Sequence, residues 1–210
     1  MRIMSIINTV NHAFTFVTRI SKIFNIDESH ALKHSMEVYN YANKIYKSEC
    51  IQNPYLENQL EIICASAILH DMCDKKYMPE NDGVLLIKNY LRNYMTEQNV
   101  IVVQDIITTM SYSKVKVNGF PNLGEYQLAY NIVREADLLS SYDIDRSIIY
   151  GMYKENLDYE HSLKRSVDLF NNRVLKYRDE NLFVTEYSKR LSKKLHKKAI
   201  KDIIILTGVK

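Results

Sequence analysis

The segment IICASAILHDMCDKKY, residues 62–77, sets the organisation of the whole chain. It begins with an apolar run that has no polar face, which predicts a helix buried on all sides. His70 and Asp71 follow this run directly, where a buried helix would end. Three charged residues come after the pair: Asp74, Lys75 and Lys76. An imidazole and a carboxylate at the end of a buried helix are suitably placed to bind a metal ion.

Outside this segment, apolar residues recur at spacings of three and four residues, and the 210 residues include only five Gly and three Pro. This pattern predicts an all-α fold of many short helices packed compactly together. The first helix should end near Asn25, and Asp27 should be the N-cap of a second helix that continues to Tyr46. Further helices are expected over residues 82–96, 100–112, 125–141, 145–155, 159–177 and 185–206.

One long connection interrupts the helical pattern. The sequence KVKVNGFPNLG, residues 114–124, contains Gly119, Pro121 and Gly124. Its composition predicts an irregular loop over residues 113–124 that could act as a lid over a cleft. Tyr112 and Tyr126 flank this loop and could stack on a substrate base.

The composition is that of a soluble globular protein, with 46% hydrophobic residues, 25% charged residues and a net charge of +3. A length of 210 residues predicts one domain over 1–210. The three cysteines show no metal-binding spacing and favour a reducing, cytoplasmic location. No apolar stretch reaches the roughly 18 residues that span a bilayer. We expect neither a membrane nor a nucleic acid as partner, and the basic segment 189–206 is expected to be a solvated surface helix.

Two residues far from the His70 and Asp71 pair have the sequence context of buried polar side chains. His34 is followed at four and eight residues by Val38 and Ala42, so it should lie on the inward face of its helix. Asp137 lies among apolar neighbours in NIVREADLLSSYD, residues 131–143. Burying this carboxylate without a partner would cost several kcal/mol, and a metal ion would remove that cost.

The pattern of His34 in HSMEV, the pair in ILHDMCDKKY and Asp137 in READLLSSYD resembles the HD-domain superfamily of metal-dependent phosphohydrolases, a helical family. The resemblance covers about residues 27–145, and the helices of residues 145–210 should pack on this part. It implies that His34, His70, Asp71 and Asp137 ligate a divalent metal ion and that water at the metal attacks a phosphorus centre. Imidazole and carboxylate ligands do not choose among Mn, Fe, Co, Ni, Zn and Mg.

The residues after the pair have expected roles in the same reaction. Asp71 and Asp74 are the predicted catalytic carboxylates, Asp71 as a ligand and Asp74 as the general acid or base. Lys75 or Lys76 should bind a substrate phosphate, and we expect only one of these two adjacent residues to face the cleft. Lys114 is a weaker candidate for the same role, as is Arg134, which precedes Asp137 by three residues.

The chain departs from many members of the family in one respect. It has Met110 where they carry a further histidine, and it has no histidine between His70 and His161. We therefore predict one metal ion and not two. The expected substrate is a small phosphorylated molecule, such as a nucleoside mono- or triphosphate. The alternative is a nucleotide-binding or regulatory module with weak hydrolysis, and a third interpretation is a metal-free helical scaffold.

Each of these assignments has a simpler alternative. His34 could be a core histidine with satisfied hydrogen bonds, and Asp74 and Lys75 could form a surface ion pair of little energetic value. His30, one turn before His34, competes for the ligand role, but solvent exposure or a hydrogen bond to a ligand is the expectation for it. The amphipathic first helix could serve as the surface of a homodimer.

Overall fold

The computed structural model describes residues 2–208, and it confirms the all-α prediction, with no strand in this range. Short 3₁₀ turns occur at Pro54–Gln59, Gly124–Tyr126 and Val174–Lys176. The α-helices of the described residues are α1 (Arg2–Ile23), α2 (Leu32–Glu49), α3 (Leu60–Leu69), α4 (Glu80–Leu91), α5 (Glu97–Thr109), α6 (Tyr112–Asn118), α7 (Gln127–Ser140), α8 (Ile144–Lys154), α9 (Tyr159–Asn172) and α10 (Glu186–Thr207).

Helix α3 is the centre of the molecule. It packs against α1, α2, α5 and α7, and every residue from Ile62 to Leu69 is buried. Full burial of one large aliphatic side chain contributes about 1.5–3 kcal/mol. The apolar run predicts such a helix because a surface helix would need a polar face, and this run has none.

Helices α2 and α7 bring the remaining polar residues to the end of α3. Both pack on α3 and on each other. The inward face of α2 carries Val38, Ala42 and Ile45, in register with the buried His34. Asp137 of α7 follows the buried Val133 by one helical turn. The same apolar contacts that form the core therefore hold an imidazole and a carboxylate beside the end of α3.

The last three helices cover one side of this core. Helices α8 and α9 pack against each other, and α10 packs on α7, α2 and α8. The buried side of the basic helix α10 consists of small residues, including Ser188, Ser192 and Ala199, and its lysines point outward. Across residues 2–208, none of the helices has both the length and the apolar character that crossing a bilayer requires.

The predicted N-cap at Asp27 is wrong. Helix α2 begins at Leu32 after Ala31, which has no side-chain capping bond. The carboxylate of Asp27 instead accepts hydrogen bonds from the Ser29 N–H at 2.9 Å and from the Tyr77 hydroxyl at 2.5 Å. A turn stabilised by its own aspartate thus occupies the positions where the second helix was expected to begin.

The predicted loop over residues 113–124 is wrong in its first half, where α6 lies. Ser111 caps this helix by accepting a hydrogen bond from the Lys114 N–H, and Gly119 ends it with φ of +74°. The β-branched Val115 and Val117 lower helix propensity only slightly. Val115 is buried, so its packing outweighs this small cost. The irregular part of the connection is confined to residues 119–123.

Candidate metal centre

Four side chains from three helical regions meet at the end of α3, and we call His34, His70, Asp71 and Asp137 the site cluster. The two Nε2 atoms of His34 and His70 are 3.0 Å apart. His34 Nε2 lies 3.2 Å from Asp71 Oδ2 and 3.5 Å from Asp137 Oδ1. His70 Nε2 lies 3.3 Å and 3.7 Å from the same two oxygens. The structure therefore brings together all four residues that the sequence predicts as metal ligands.

The ring of His70 is oriented so that its Nε2 faces the cluster. Its Nδ1 lies 2.9 Å from the carbonyl oxygen of Ala67, one turn earlier in α3. A carbonyl can only accept, so Nδ1 carries the proton and donates it, and the lone pair of Nε2 is left for a ligand. His34 also directs Nε2 into the cluster, but its buried Nδ1 has no hydrogen-bond partner among residues 2–208.

The charges of the cluster depend on one another. Burial alone raises the pKa values of Asp71 and Asp137, but His70 beside Asp71 and His34 beside Asp137 hold both values well below the usual range. Burial lowers the pKa of His34. Burial also opposes protonation of His70, but the charge of Asp71 and the hydrogen bond with Asp137 raise its pKa to about 10. The two carboxylates therefore favour a positive charge beside them, and the protonated imidazole of His70 carries that charge.

The donor set fits a divalent cation in place of that proton. One donor atom each from His34, His70 and Asp137 lies within 4.8 Å of the others, and Asp71 Oδ2 is close to both imidazoles. One ion could form bonds of about 2.0–2.2 Å to donors at these separations if the side chains moved slightly. Two imidazoles with two carboxylates are suited to Mn, Fe, Co, Ni or Zn. Within residues 2–208, this group of donors could hold one ion.

A cavity of about 320 Å³ opens beside the cluster. This volume is near the lower limit for small-molecule sites, which are commonly about 300–1,000 Å³. His70, Asp71 and Asp137 reach its wall. The rest of the wall is rich in polar, basic and aromatic side chains, among them Ser29, Asp74, Lys75, Lys76, Ser111, Tyr112, Lys114, Asp143, Arg146, Ser147, Tyr150, Arg165, Arg173 and Tyr177.

Asp74, the predicted general acid or base, is half-buried in the cavity wall. It accepts a hydrogen bond from the Lys76 backbone N–H at 2.9 Å, and its Oδ2 lies 3.2 Å from Lys76 Nζ. The ion pair expected between Asp74 and Lys75 is thus formed with Lys76 instead. Lys75 also lines the cavity, at an exposed position, so the expectation that only one of Lys75 and Lys76 faces the cleft is wrong.

His30 is buried and belongs to a network beside the cluster. Its Nε2 lies 2.9 Å from Lys76 Nζ, and a lysine ammonium can only donate, so Nε2 accepts. Its Nδ1 then carries the proton and faces the Ser29 hydroxyl at 2.6 Å and the Tyr77 hydroxyl at 3.2 Å. Solvent exposure, one of the two expectations for His30, is wrong. The network holds Lys76 at the cavity wall.

The remaining predicted residues differ in position. Lys114 lines the cavity, where it binds Glu80 and the Thr108 carbonyl oxygen. Arg134 does not line the cavity: it is buried and donates to the Leu182 carbonyl oxygen, so its candidacy as a phosphate ligand is wrong. Met110 is buried in the core. Of the two tyrosines that flank the expected lid, Tyr112 reaches the cavity and Tyr126 does not.

Arg146 is the main residue that sequence reasoning did not identify. Its two terminal nitrogens lie 3.4 Å from Asp71 Oδ2 and 3.6 Å from Asp137 Oδ1. Its Nε donates to the Ser29 carbonyl oxygen at 2.5 Å. The turn between α7 and α8 breaks the helical register after Asp137, so no periodicity relates Arg146 to the cluster.

Comparisons of this chain with protein-family models, with curated proteins and with solved structures found no match in any of the three. The resemblance to the HD-domain superfamily therefore rests on the motif residues themselves.

Proposed function

We propose that this protein is a metal-dependent phosphohydrolase that acts on a phosphate ester or anhydride of a small molecule, and we expect a nucleotide. The observation that supports the proposal most strongly is the site cluster. Two imidazoles and two carboxylates meet within hydrogen-bonding distances at the floor of a cavity with a basic wall. Placing two buried imidazoles beside two half-buried carboxylates has a desolvation cost that a bound cation would offset.

The proposed roles follow from what each side chain can donate or accept. When bound, a divalent ion lowers the pKa of water and neutralises charge on phosphoryl oxygens. His34, His70, Asp71 and Asp137 would hold that ion, with the Ala67 carbonyl keeping the His70 ring in its ligating orientation. Asp74 reaches the cavity from the same segment and is our candidate for moving a proton between water and the leaving group.

The basic wall supports a phosphorylated substrate. Lys75, Lys76 and Lys114 all reach the cavity, and ammonium groups bind phosphate as point charges. Of these, Lys75 is the one without a carboxylate partner among the described residues, since Lys76 lies beside Asp74 and Lys114 beside Glu80. The aromatic side chains Tyr112 and Tyr150 also line the cavity and offer rings on which a base could stack.

The proposal is tested by measuring metal content and turnover together. The purified protein would be assayed with Mn²⁺, Co²⁺ or Mg²⁺ against nucleoside mono- and triphosphates. We expect one metal ion per chain, and Asp71→Ala should lower turnover by about 100-fold or more. His161→Gln is a suitable control because His161 is exposed and lies on α9.

Each alternative has its own outcome. Nucleotide binding with bound metal and no turnover would favour the binding or regulatory module. Absence of stoichiometric metal, together with unchanged stability of His34→Ala, would favour the metal-free scaffold and contradict the proposal.

A further inference from the structure

We propose that Arg146 is the side chain that binds the substrate phosphoryl group beside the metal ion, and that it makes cation binding and phosphate binding mutually reinforcing. This inference rests on the proposed function and assigns to Arg146 the phosphate-binding role that was predicted from the sequence for a lysine.

The first argument is that the other basic side chains near the floor of the cavity are already balanced. Each of three is paired with a carboxylate outside the site cluster, namely Lys76 with Asp74, Lys114 with Glu80, and Arg165 with Glu155. A phosphate that recruited one of them would have to compete with that carboxylate. Arg146 has no such pair among the described residues, because its ion-pair partners there are the cluster residues Asp71 and Asp137.

The second argument is the geometry of the guanidinium group. Nε is held by the Ser29 carbonyl at 2.5 Å, which fixes the plane of the group. The two terminal nitrogens contact Asp71 and Asp137 only at 3.4 Å and 3.6 Å, longer than the usual 2.9–3.0 Å of such bonds. Their N–H groups therefore keep donor capacity, and the side chain is 17% exposed. A planar guanidinium that keeps N–H donors on both terminal nitrogens is well suited to bind phosphate through paired hydrogen bonds.

The third argument is charge balance. In the ion-free cluster, the guanidinium helps to balance Asp71 and Asp137. If both carboxylates ligate a divalent cation, their charge is committed to it, and Arg146 is left beside another positive centre. A guanidinium cannot relieve this repulsion by losing its proton. A phosphate oxygen next to Arg146 would restore the balance, so each ligand should strengthen binding of the other.

The two strongest rivals for this role form no ion pair with a cluster residue within the described part of the chain, unlike Arg146. Arg173 donates to the Tyr177 hydroxyl at 2.9 Å and stacks over the Tyr112 ring. Lys75 is exposed and forms no ion pair or hydrogen bond with a cluster residue among those that the structure describes. Both could bind a more distant part of a substrate, but neither contacts the predicted metal ligands as Arg146 does.

The test measures Mn²⁺ affinity and the affinity of the Mn²⁺-loaded protein for inorganic phosphate, both by titration calorimetry. In Arg146→Met, Mn²⁺ alone should bind several-fold more tightly because a competing positive charge is gone. Phosphate should bind the loaded variant about tenfold or more weakly, within the usual range of coupling between two sites. Arg146→Lys keeps the charge without the planar fork and should be intermediate. Arg190→Met, at an exposed position of α10, should match the wild type in both measurements.

The opposite signs of the two effects separate this role from a structural one. If Arg146 only supported the fold, Arg146→Met would weaken Mn²⁺ and phosphate binding together, and the inference would be overturned. Unchanged phosphate affinity in loaded Arg146→Met and Arg146→Lys would also overturn it, while leaving the proposed function intact. Failure of wild-type protein to bind Mn²⁺ would overturn both. If Arg146→Met does not fold, Arg146→Lys alone decides, because full retention of phosphate affinity there contradicts the need for a planar fork.

Discussion

The two imidazoles of the site cluster differ in the surroundings of their Nδ1 atoms. The Ala67 carbonyl orients His70 from within the helix that precedes it, so the ring position depends only on local backbone structure. His34 has a buried Nδ1 that finds no partner in the described part of the chain, and such a group costs about 1–3 kcal/mol. Such a cost is typical of positions that serve binding, and a bond from Nε2 of His34 to a cation would offset it.

The cysteines give a residue-scale prediction. Burial raises the pKa of Cys64 to about 12, with a smaller contribution from Glu61, whereas Cys50 is only half-buried. At pH 8 a thiol reagent should therefore modify Cys50 in the native protein and leave Cys64 unmodified, as located by peptide mass analysis. Because the thiolate forms readily only in the unfolded chain, the contribution of Cys64 to stability is complete below about pH 9 and falls toward about pH 12.

The control for this experiment is Cys50→Ser, which should leave the native protein nearly unreactive. In denaturant all three thiols of the wild type should react. Rapid native modification of Cys64 would mean that α3 opens locally, contrary to its place at the centre of the core.

At the same scale, the cluster could be predicted from sequence and Arg146 could not. His34 and Asp137 have apolar neighbours at helical spacing, so their inward direction is a local property of the sequence. The position of Arg146 depends on a contact with Ser29, 117 residues earlier, and on a turn that breaks the register between α7 and α8. No local pattern encodes such a contact.

Among the elements, the long helices could be predicted and the short ones could not. Most expected helices fall within a few residues of the observed bounds, because their apolar periodicity extends over several turns. Helix α6 has seven residues, too few for a periodic pattern, and its formation depends on the burial of Val115. Likewise, the Tyr77 hydroxyl that engages Asp27 comes from a distant segment.

The approach of α4 to the segment after the site cluster gives an element-scale prediction. A β-carbon on Gly83 would lie 2.6 Å from Cys73 Cα and 2.7 Å from Cys73 Cβ. Alanine in place of a helical glycine normally adds about 0.5–1 kcal/mol of stability. Here the overpacking should cost about 1–3 kcal/mol or more and outweigh that gain. Urea unfolding should therefore show that Gly83→Ala is less stable than the wild type.

Asn81→Ala is the matched control, since Asn81 is exposed in the first turn of the same helix. Its free energy of unfolding should stay within about 0.5 kcal/mol of the wild type. A more stable Gly83→Ala would show that α4 can move away from Cys73 at little cost.

For the whole molecule, the site cluster joins three helical regions that are distant in sequence. His34 comes from α2, His70 and Asp71 from the end of α3, and Asp137 from α7. These helices also form the centre of the core, so the cluster exists only when the central packing is complete. A cation held by all four side chains would bind the folded state and not the unfolded chain, and it would therefore stabilise the whole fold.

This coupling predicts a thermal shift with Mn²⁺. A ligand at 100 times its Kd stabilises the folded state by about 2.7 kcal/mol. For a chain of this size, about 2–4 °C per kcal/mol corresponds to a rise in Tm of about 5–10 °C. His34→Gln should lose most of the rise, measured against its own metal-free state, whereas the exposed-site variant His161→Gln should keep it. An equal rise in His34→Gln would show that Mn²⁺ binds elsewhere on the protein, because binding at the cluster should weaken when one of its four side chains is replaced.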